Sequence, residues 1–231
     1  MDFERRGQRW PAAVVLLAGA SSICVGLIAL RIALSRQGDY SFLVWNLALA
    51  WVPLGLALAV WGGARRGAPR AALVALGGLW LLFLPNAPYI ATDYVHLFRG
   101  TGGAHWYDAL AISAYALTGL LLGFASLYLM QAVARRALGE RLTWLLVFAT
   151  LAASSVGIYL GRYQRLNSWD ALRDPTLVPA MARARLGDPF GNPALIVITL
   201  SFTGLLAVGY VAVYAYLLPR FESRWGREPS P

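Results

Sequence analysis

The chain has 231 residues, 58% hydrophobic and 13% charged, with a formal net charge of +9 and a mean hydropathy of +0.56. Soluble domains are about half apolar and about a quarter charged, so this composition excludes a disordered chain and speaks against an ordinary water-soluble domain. All 20 basic residues are Arg, and most stand between long apolar stretches, a distribution that signals membrane topology and not nucleic-acid binding.

Runs without Asp, Glu or Arg cover 10–30, 40–64, 71–92, 109–134, 142–161 and 189–219. Each matches the roughly 20 apolar residues with which a helix crosses about 30 Å of hydrocarbon. The sequence therefore predicts an all-α, polytopic membrane protein, a bundle of six transmembrane helices in a single domain over 1–231. The first span, near 12–33, follows Arg5, Arg6 and Arg9. Its apolar run exceeds the ~7–15 residues of a secretion signal and ends without a clear cleavage site, so it is expected to be retained. Cys24 within it reads as a buried small hydrophobe. Being the chain's one cysteine, it excludes an intramolecular disulfide and any multi-cysteine metal site. Arg31 marks the end of this span, and the second, near 42–62, carries Asn46 about one turn from its start.

The third span, near 71–92, breaks the pattern. Its purely apolar part, 71–84, would rise only about 21 Å as a helix, too short to cross. Pro85-Asn86-Ala87-Pro88-Tyr89 must therefore lie partly at membrane depth. Pro85 and Pro88 lack N–H groups, and a helix running through them would free the carbonyls of Leu81 and Leu84. Such carbonyls need partners from protein or from a wet cavity, and Asn86 is placed to help. A kinked or broken third helix facing the bundle interior follows. Should helical geometry resume, Asn86, Tyr89, Asp93 and His96 would form one polar stripe. Two readings stand for it: the polar caps of a kink, or a binding or catalytic pocket open to the outer side.

The fourth span, near 109–132, contains Gly119 and Gly123, a small-xxx-small pair suited to a close helix–helix contact. The fifth, near 142–161, runs into Gly161-Arg162-Tyr163-Gln164-Arg165-Leu166-Asn167-Ser168-Trp169-Asp170. Continued as a helix, this segment would put Arg162, Arg165 and Trp169 on one face. Two guanidiniums at headgroup level suit bidentate recognition of phosphate or carboxylate; the alternative is an interfacial Arg–Trp anchor with Asp170 as ion-pair partner. Thr176 is expected to cap a short outer interfacial helix that has Pro179 in its first turn and ends near Leu186, before Gly187. The sixth span lies near 195–217.

Six spans place the N-terminus, 63–70, 133–141 and the C-terminus on one side with twelve Arg, against eight on the other. Both termini are therefore expected to be cytoplasmic. Trp10, Trp45, Trp61, Trp106 and Trp144, near span ends, are expected as interfacial anchors. Unusual polar side chains gather at the opposite, outer ends of spans one, two, three and five, so any site is expected to face outward.

The stretch Leu84-Pro85-Asn86-Ala87-Pro88-Tyr89-Ile90-Ala91-Thr92-Asp93-Tyr94-Val95-His96-Leu97 closely resembles the hallmark of a bacterial integral-membrane family, domain of unknown function 1361. The segment 161–170 is similar to its second signature, and Trp45-Asn46 to a weaker third. The resemblance implies a multi-pass protein of the bacterial cytoplasmic membrane and supports the choice of residues, but it implies no activity.

Asp93/His96 and His105/Asp108 are carboxylate–histidine pairs, yet neither spacing is a specific metal signature, and neither metal nor cofactor is expected. Asp93 and His96 stand as candidate catalytic groups, with His96 a proton carrier of reference pKa about 6.5. Asn46, Asn86, Tyr89, Arg162, Arg165, Asn167 and Asp170 stand as candidate ligand-binding residues. Ser168 lacks a neighbouring histidine in sequence, and no nucleotide-binding Gly-rich loop occurs. Three classes remain: a protein that binds or processes an anionic lipid headgroup, a small-solute transporter, which a broken helix would suit, and a membrane assembly or scaffold protein. The expected partners are the bilayer and an anionic headgroup. Asn86, Asp93, His96, Arg162 and Arg165 are expected to converge on one pocket, with Asp93 neutralising one Arg and the other left for an anion.

Overall fold

A computed structural model describes residues 10–35, 40–98, 105–187 and 191–217. Arg5, Arg6, Arg9, Asp39, Asp188 and the arginines at 220, 224 and 227 lie outside the described residues, as do the side chains of Trp10, His96, His105 and Arg185. In chain order the helices are α1 (Trp10–Ser35), α2 (Phe42–Arg65), α3 (Arg70–Phe83), the short α4 (Asn86–Tyr89), a 3-10 segment (Ile90–Phe98), α5 (His105–Leu138), α6 (Glu140–Gln164), α7 (Ser168–Arg173), α8 (Leu177–Leu186) and α9 (Pro193–Ala212), which passes into a π-helical turn (Val213–Leu217). Among the described residues there is no strand.

Six stretches are long and apolar enough to cross a membrane: Pro11–Leu34, Phe42–Arg65, Arg70–Val95, Trp106–Leu138, Glu140–Gln164 and Pro193–Ala215. Large apolar side chains cover their outside. Val74 is 74% exposed and Val208 71%, a pattern costly in water but natural where hydrocarbon is the solvent. The chain is a multi-pass membrane protein.

The core forms where apolar stripes meet. Leu43, Leu47, Ala50, Leu54 and Ala57 recur every three or four residues along α2, and all are buried. That spacing places them on one face, which lies along α5 and its buried Ala111, Ile112, Tyr115 and Leu122. Helix α6 packs on α9. One residue, Gly139 (φ 77°), separates α5 from α6, a backbone conformation that favours glycine. The Arg135–Glu140 ion pair, 2.9 Å, spans this turn.

Several local expectations need correction. Trp45 and Trp106 are exposed, but Trp61 is buried and Trp144 packs on Tyr210 and Tyr214. Burial leaves the Trp61 ring little surface to offer an interface, and the Arg65 guanidinium lies 4.7 Å from its centre. Trp144 is half-buried, and its indole N–H donates to Glu140 Oε1 at 3.0 Å. Helix α8 forms at the expected residues, yet the Thr176 side chain does not cap it. Its hydroxyl donates instead to Asp174 Oδ1, 2.6 Å. This bond and the Thr176 N–H hold the Asp174 carboxyl below its ordinary pKa.

Candidate functional site

Helix α3 ends at Phe83, and the chain turns through Leu84 and Pro85 into α4. Ending a helix at membrane depth leaves carbonyls without N–H partners. Here Leu84 O, expected to be freed, accepts the Ala87 N–H at 3.1 Å, since the chain tightens to an i→i+3 turn. The carbonyls that side chains serve are its neighbours. Asn86 Nδ2 donates to Phe83 O at 2.9 Å, and Ser168 Oγ donates to Leu82 O at 2.9 Å. Asn86 also donates to Ser168 Oγ, 2.9 Å, which ties the broken helix to the start of α7. With its proton given to Leu82 O, Ser168 is a structural hydroxyl.

Glycines hold this turn from two sides. A Cβ at Gly119 of α5 would lie 2.5 Å from the Ala87 carbonyl oxygen, and one at Gly123 would lie 3.1 Å from Ala87 Cβ. On α6, a Cβ at Gly157 would lie 2.5 Å from Pro85 Cγ, and one at Gly161 would lie 3.1 Å from the Tyr89 ring. Two glycine pairs, each spaced four residues apart, thus let α5 and α6 approach the turn at backbone distance. The small-residue contact expected at Gly119 and Gly123 is made with the Pro85–Tyr89 turn.

Beyond Tyr89 the chain winds as a 3-10 helix. The expected stripe of Asn86, Tyr89, Asp93 and His96 assumed 3.6 residues per turn, whereas a 3-10 turn takes 3.0, so Tyr89 and Asp93 are not stacked on one helical face. Asp93 nonetheless points inward, 2% exposed. Asn46 Nδ2 of α2 donates to its Oδ2 at 2.9 Å, and Arg162 Nη1 of α6 to its Oδ1 at 3.3 Å. Arg162 also donates to Thr92 O at 3.0 Å, with its guanidinium 5.9 Å from the centre of the Tyr89 ring. A buried carboxylate is thus compensated by a guanidinium and an amide.

These groups border a cleft of about 680 Å³ between α2, α3 and α6. Asn46, Asn86, Tyr89, Asp93, Arg162, Arg165 and Asn167 all line it, together with Ser168, Trp45 and Trp169. Asp170 is not among the lining residues: its Oδ2 accepts the Asn167 N–H at 2.8 Å and the Asn167 side-chain amide at 3.1 Å. It therefore stabilises the first turn of α7 and is not the ion-pair partner of an Arg–Trp anchor. The side chain of His96 lies outside the described residues. The expected continuous helix through Arg162, Arg165 and Trp169 is also corrected. Helix α6 stops at Gln164, and Arg165 is left-handed at φ 55°, ψ 30°. Helices usually place Gly there. Among the described residues Arg165 forms no ion pair, and it is exposed at the edge of the cleft. The ionisable side chains that line the cleft, tyrosine aside, are therefore two guanidiniums and one carboxylate.

Residues 45–209 match the model of a family described as a protein of unknown function (DUF1361). The chain belongs to this family. The matched segment contains Asn46, Asn86, Asp93, Arg162 and Arg165, and it leaves out α1. Comparison with curated proteins finds no match, and comparison with solved structures finds none either.

Within this family member the sequence reading missed Ser168, Gly157 and Gly161 as parts of the site, and Asp108 as the partner of Arg31. Arg31 Nη2 donates to Asp108 Oδ2 at 3.0 Å, its Nε donates to Oδ1, and its guanidinium lies 4.8 Å from the centre of the Tyr40 ring. Asp108 is thus held bidentately by a guanidinium; the His105 side chain, with which the sequence paired it, lies outside the described residues. The four-residue spacing of Gly157 and Gly161 was visible, because it repeats that of Gly119 and Gly123. Nothing local marked the partners of Ser168 or Asp108, which lie 86 and 77 residues away in sequence.

Proposed function

We propose that the cleft faces the outer leaflet and binds the anionic headgroup of a membrane lipid, with Arg165 as the group that meets the anion. The observation that carries this reading is the state of Arg165. It is exposed, has no ion pair among the described residues, and occupies a left-handed position that would normally take Gly. A sequence that forgoes glycine there keeps the guanidinium for another reason. Arg162, by contrast, is engaged by Asp93 and Thr92 O. Asp93 is a positioning residue for Arg162 in this reading, and Asn46 and Asn86 hold the walls. The outward direction rests on the excess of Arg at the opposite end of the bundle. The broken third helix would also suit a solute transporter, but the cleft walls beyond the polar mouth are Leu49, Leu82, Val156 and Leu160, which favour an amphiphile.

The test compares the wild-type protein with Arg165→Gly in native mass spectrometry against dioleoyl-phosphatidylglycerol and dioleoyl-phosphatidylcholine. The expected result is preferential retention of the anionic lipid by the wild type, and loss of that preference in the variant. Equal retention of both lipids by both proteins would overturn the reading.

A further inference from the structure

We propose that the same cleft takes up one hydrocarbon chain of the anionic lipid, which enters sideways between α3 and α6; this rests on the headgroup reading above. Away from the polar mouth, the walls are Leu49 of α2, Leu81 and Leu82 of α3, and Ala153, Val156 and Leu160 of α6. Ala153 lies nine residues before Arg162 on one continuous helix, so the apolar wall extends about 13 Å along α6 from the guanidinium. Walls of Leu, Val and Ala give water no hydrogen-bond partners. A methylene chain fits them chemically.

The cleft is also open on the side a lipid would use. Gly78, Leu81 and Ala153 line it and are exposed on the surface of the bundle, where the surroundings in a bilayer are acyl chains. The opening is unobstructed at Gly78, where a Cβ would meet nothing within 4 Å. At the mouth, Trp45 is 60% exposed and sits edge-on to Trp169, with 6.4 Å between ring centres. Both rings line the cleft together with Arg165, and amphipathic Trp rings suit a membrane–water interface. A volume of about 680 Å³ falls within the roughly 300–1,000 Å³ of small-molecule pockets. Moving a chain from bilayer to cleft exchanges one hydrocarbon environment for another and yields little hydrophobic driving force. Selectivity must then come from the charged end, where two guanidiniums face one carboxylate. Chain and headgroup are therefore recognised together.

Native mass spectrometry of the full chain with three probes tests this: dioleoyl-phosphatidylglycerol, its single-chain lyso form, and glycerophosphoglycerol, which is the same headgroup without a chain. Both chain-bearing probes are expected to bind, and the bare headgroup at least tenfold more weakly. Ala153→Phe and Leu81→Trp fill the apolar half from exposed positions that tolerate bulk, and each should lower retention of both lipids at least tenfold. If glycerophosphoglycerol binds as tightly as the lyso lipid and both filling variants match the wild type, the chain proposal is overturned while the headgroup reading survives. If the filling variants lose lipid but Arg165→Ala and headgroup charge have no effect, the headgroup reading fails, and this proposal fails with it. Retention of none of the three probes overturns both.

Discussion

The Asp93 carboxyl is 2% exposed, so what its neighbours do decides whether it is tolerated. Three helical segments contribute: the 3-10 turn supplies the carboxylate, α2 supplies Asn46, and α6 supplies Arg162. Breaking a buried ion pair costs about 3–5 kcal/mol; because Arg162 is 22% exposed and keeps the Thr92 carbonyl, about 2 kcal/mol is expected for Asp93→Ala. Unfolding in mixed SDS micelles measures it, and a cost below a few tenths would disprove the pairing. An Asp93→Arg defect should be partly rescued by Arg162→Asp and not by Arg165→Asp, because of these two arginines it is Arg162 that pairs with the carboxylate. Arg165 behaves differently. Gly relieves its left-handed backbone while adding chain entropy, so Arg165→Gly should change stability by no more than about 1 kcal/mol in either direction. The variant thus separates binding from folding.

At the scale of elements, the Pro85–Tyr89 turn is held because glycine lets two helices touch it. The Gly119→Ala and Gly157→Ala methyls would each lie 2.5 Å from an atom of the turn, the Ala87 carbonyl oxygen and Pro85 Cγ respectively. Neither neighbour is a flexible side-chain end. Overpacking of this kind costs about 1–3 kcal/mol, and the same unfolding measurement should show it for both variants. Gly26→Ala and Gly204→Ala are the controls: an added Cβ there meets nothing within 4 Å, and a neutral or slightly stabilising effect is expected. A clash at Gly119 with no loss of stability would mean that α5 does not bear on the turn. Asn86→Ala removes the donor to Phe83 O, and an unsatisfied carbonyl in an apolar setting costs about 1–3 kcal/mol. Ser168→Ala should cost a similar amount through Leu82 O.

For the molecule as a whole, the testable statement is its direction in the membrane. Arginines crowd the loops 63–70 and 133–141, and cations are retained on the cytoplasmic side. Reporter fusions after Arg66 and Arg136 are expected to report a cytoplasmic location, and fusions near Gly102 and Asp174 an external one. Periplasmic reporter activity at Arg66 would reverse the topology and put the cleft at the inner leaflet. The exposed belt typified by Val74 and Val208 is indifferent to that direction, because hydrocarbon has no inside or outside.

The sequence by itself determined the all-α membrane class, the six long apolar helices and the break after Leu84. Each follows from a rule acting over a few residues: charge-free length against membrane thickness, and proline's missing N–H. It also singled out Asn46, Asn86, Asp93, Arg162 and Arg165, because polar groups at the ends of apolar spans are costly wherever they occur. Only the tertiary structure decided what those groups touch. Asp93 takes Arg162 and not Arg165 because α6 ends at Gln164 and turns the later guanidinium away. Arg31 meets Asp108, and Ser168 meets Leu82 O, across 77 and 86 residues. No local periodicity encodes such separations; they are set by which helices pack together, and the glycines that bring α5 and α6 against the Pro85–Tyr89 turn show their role only when that second segment lies against them.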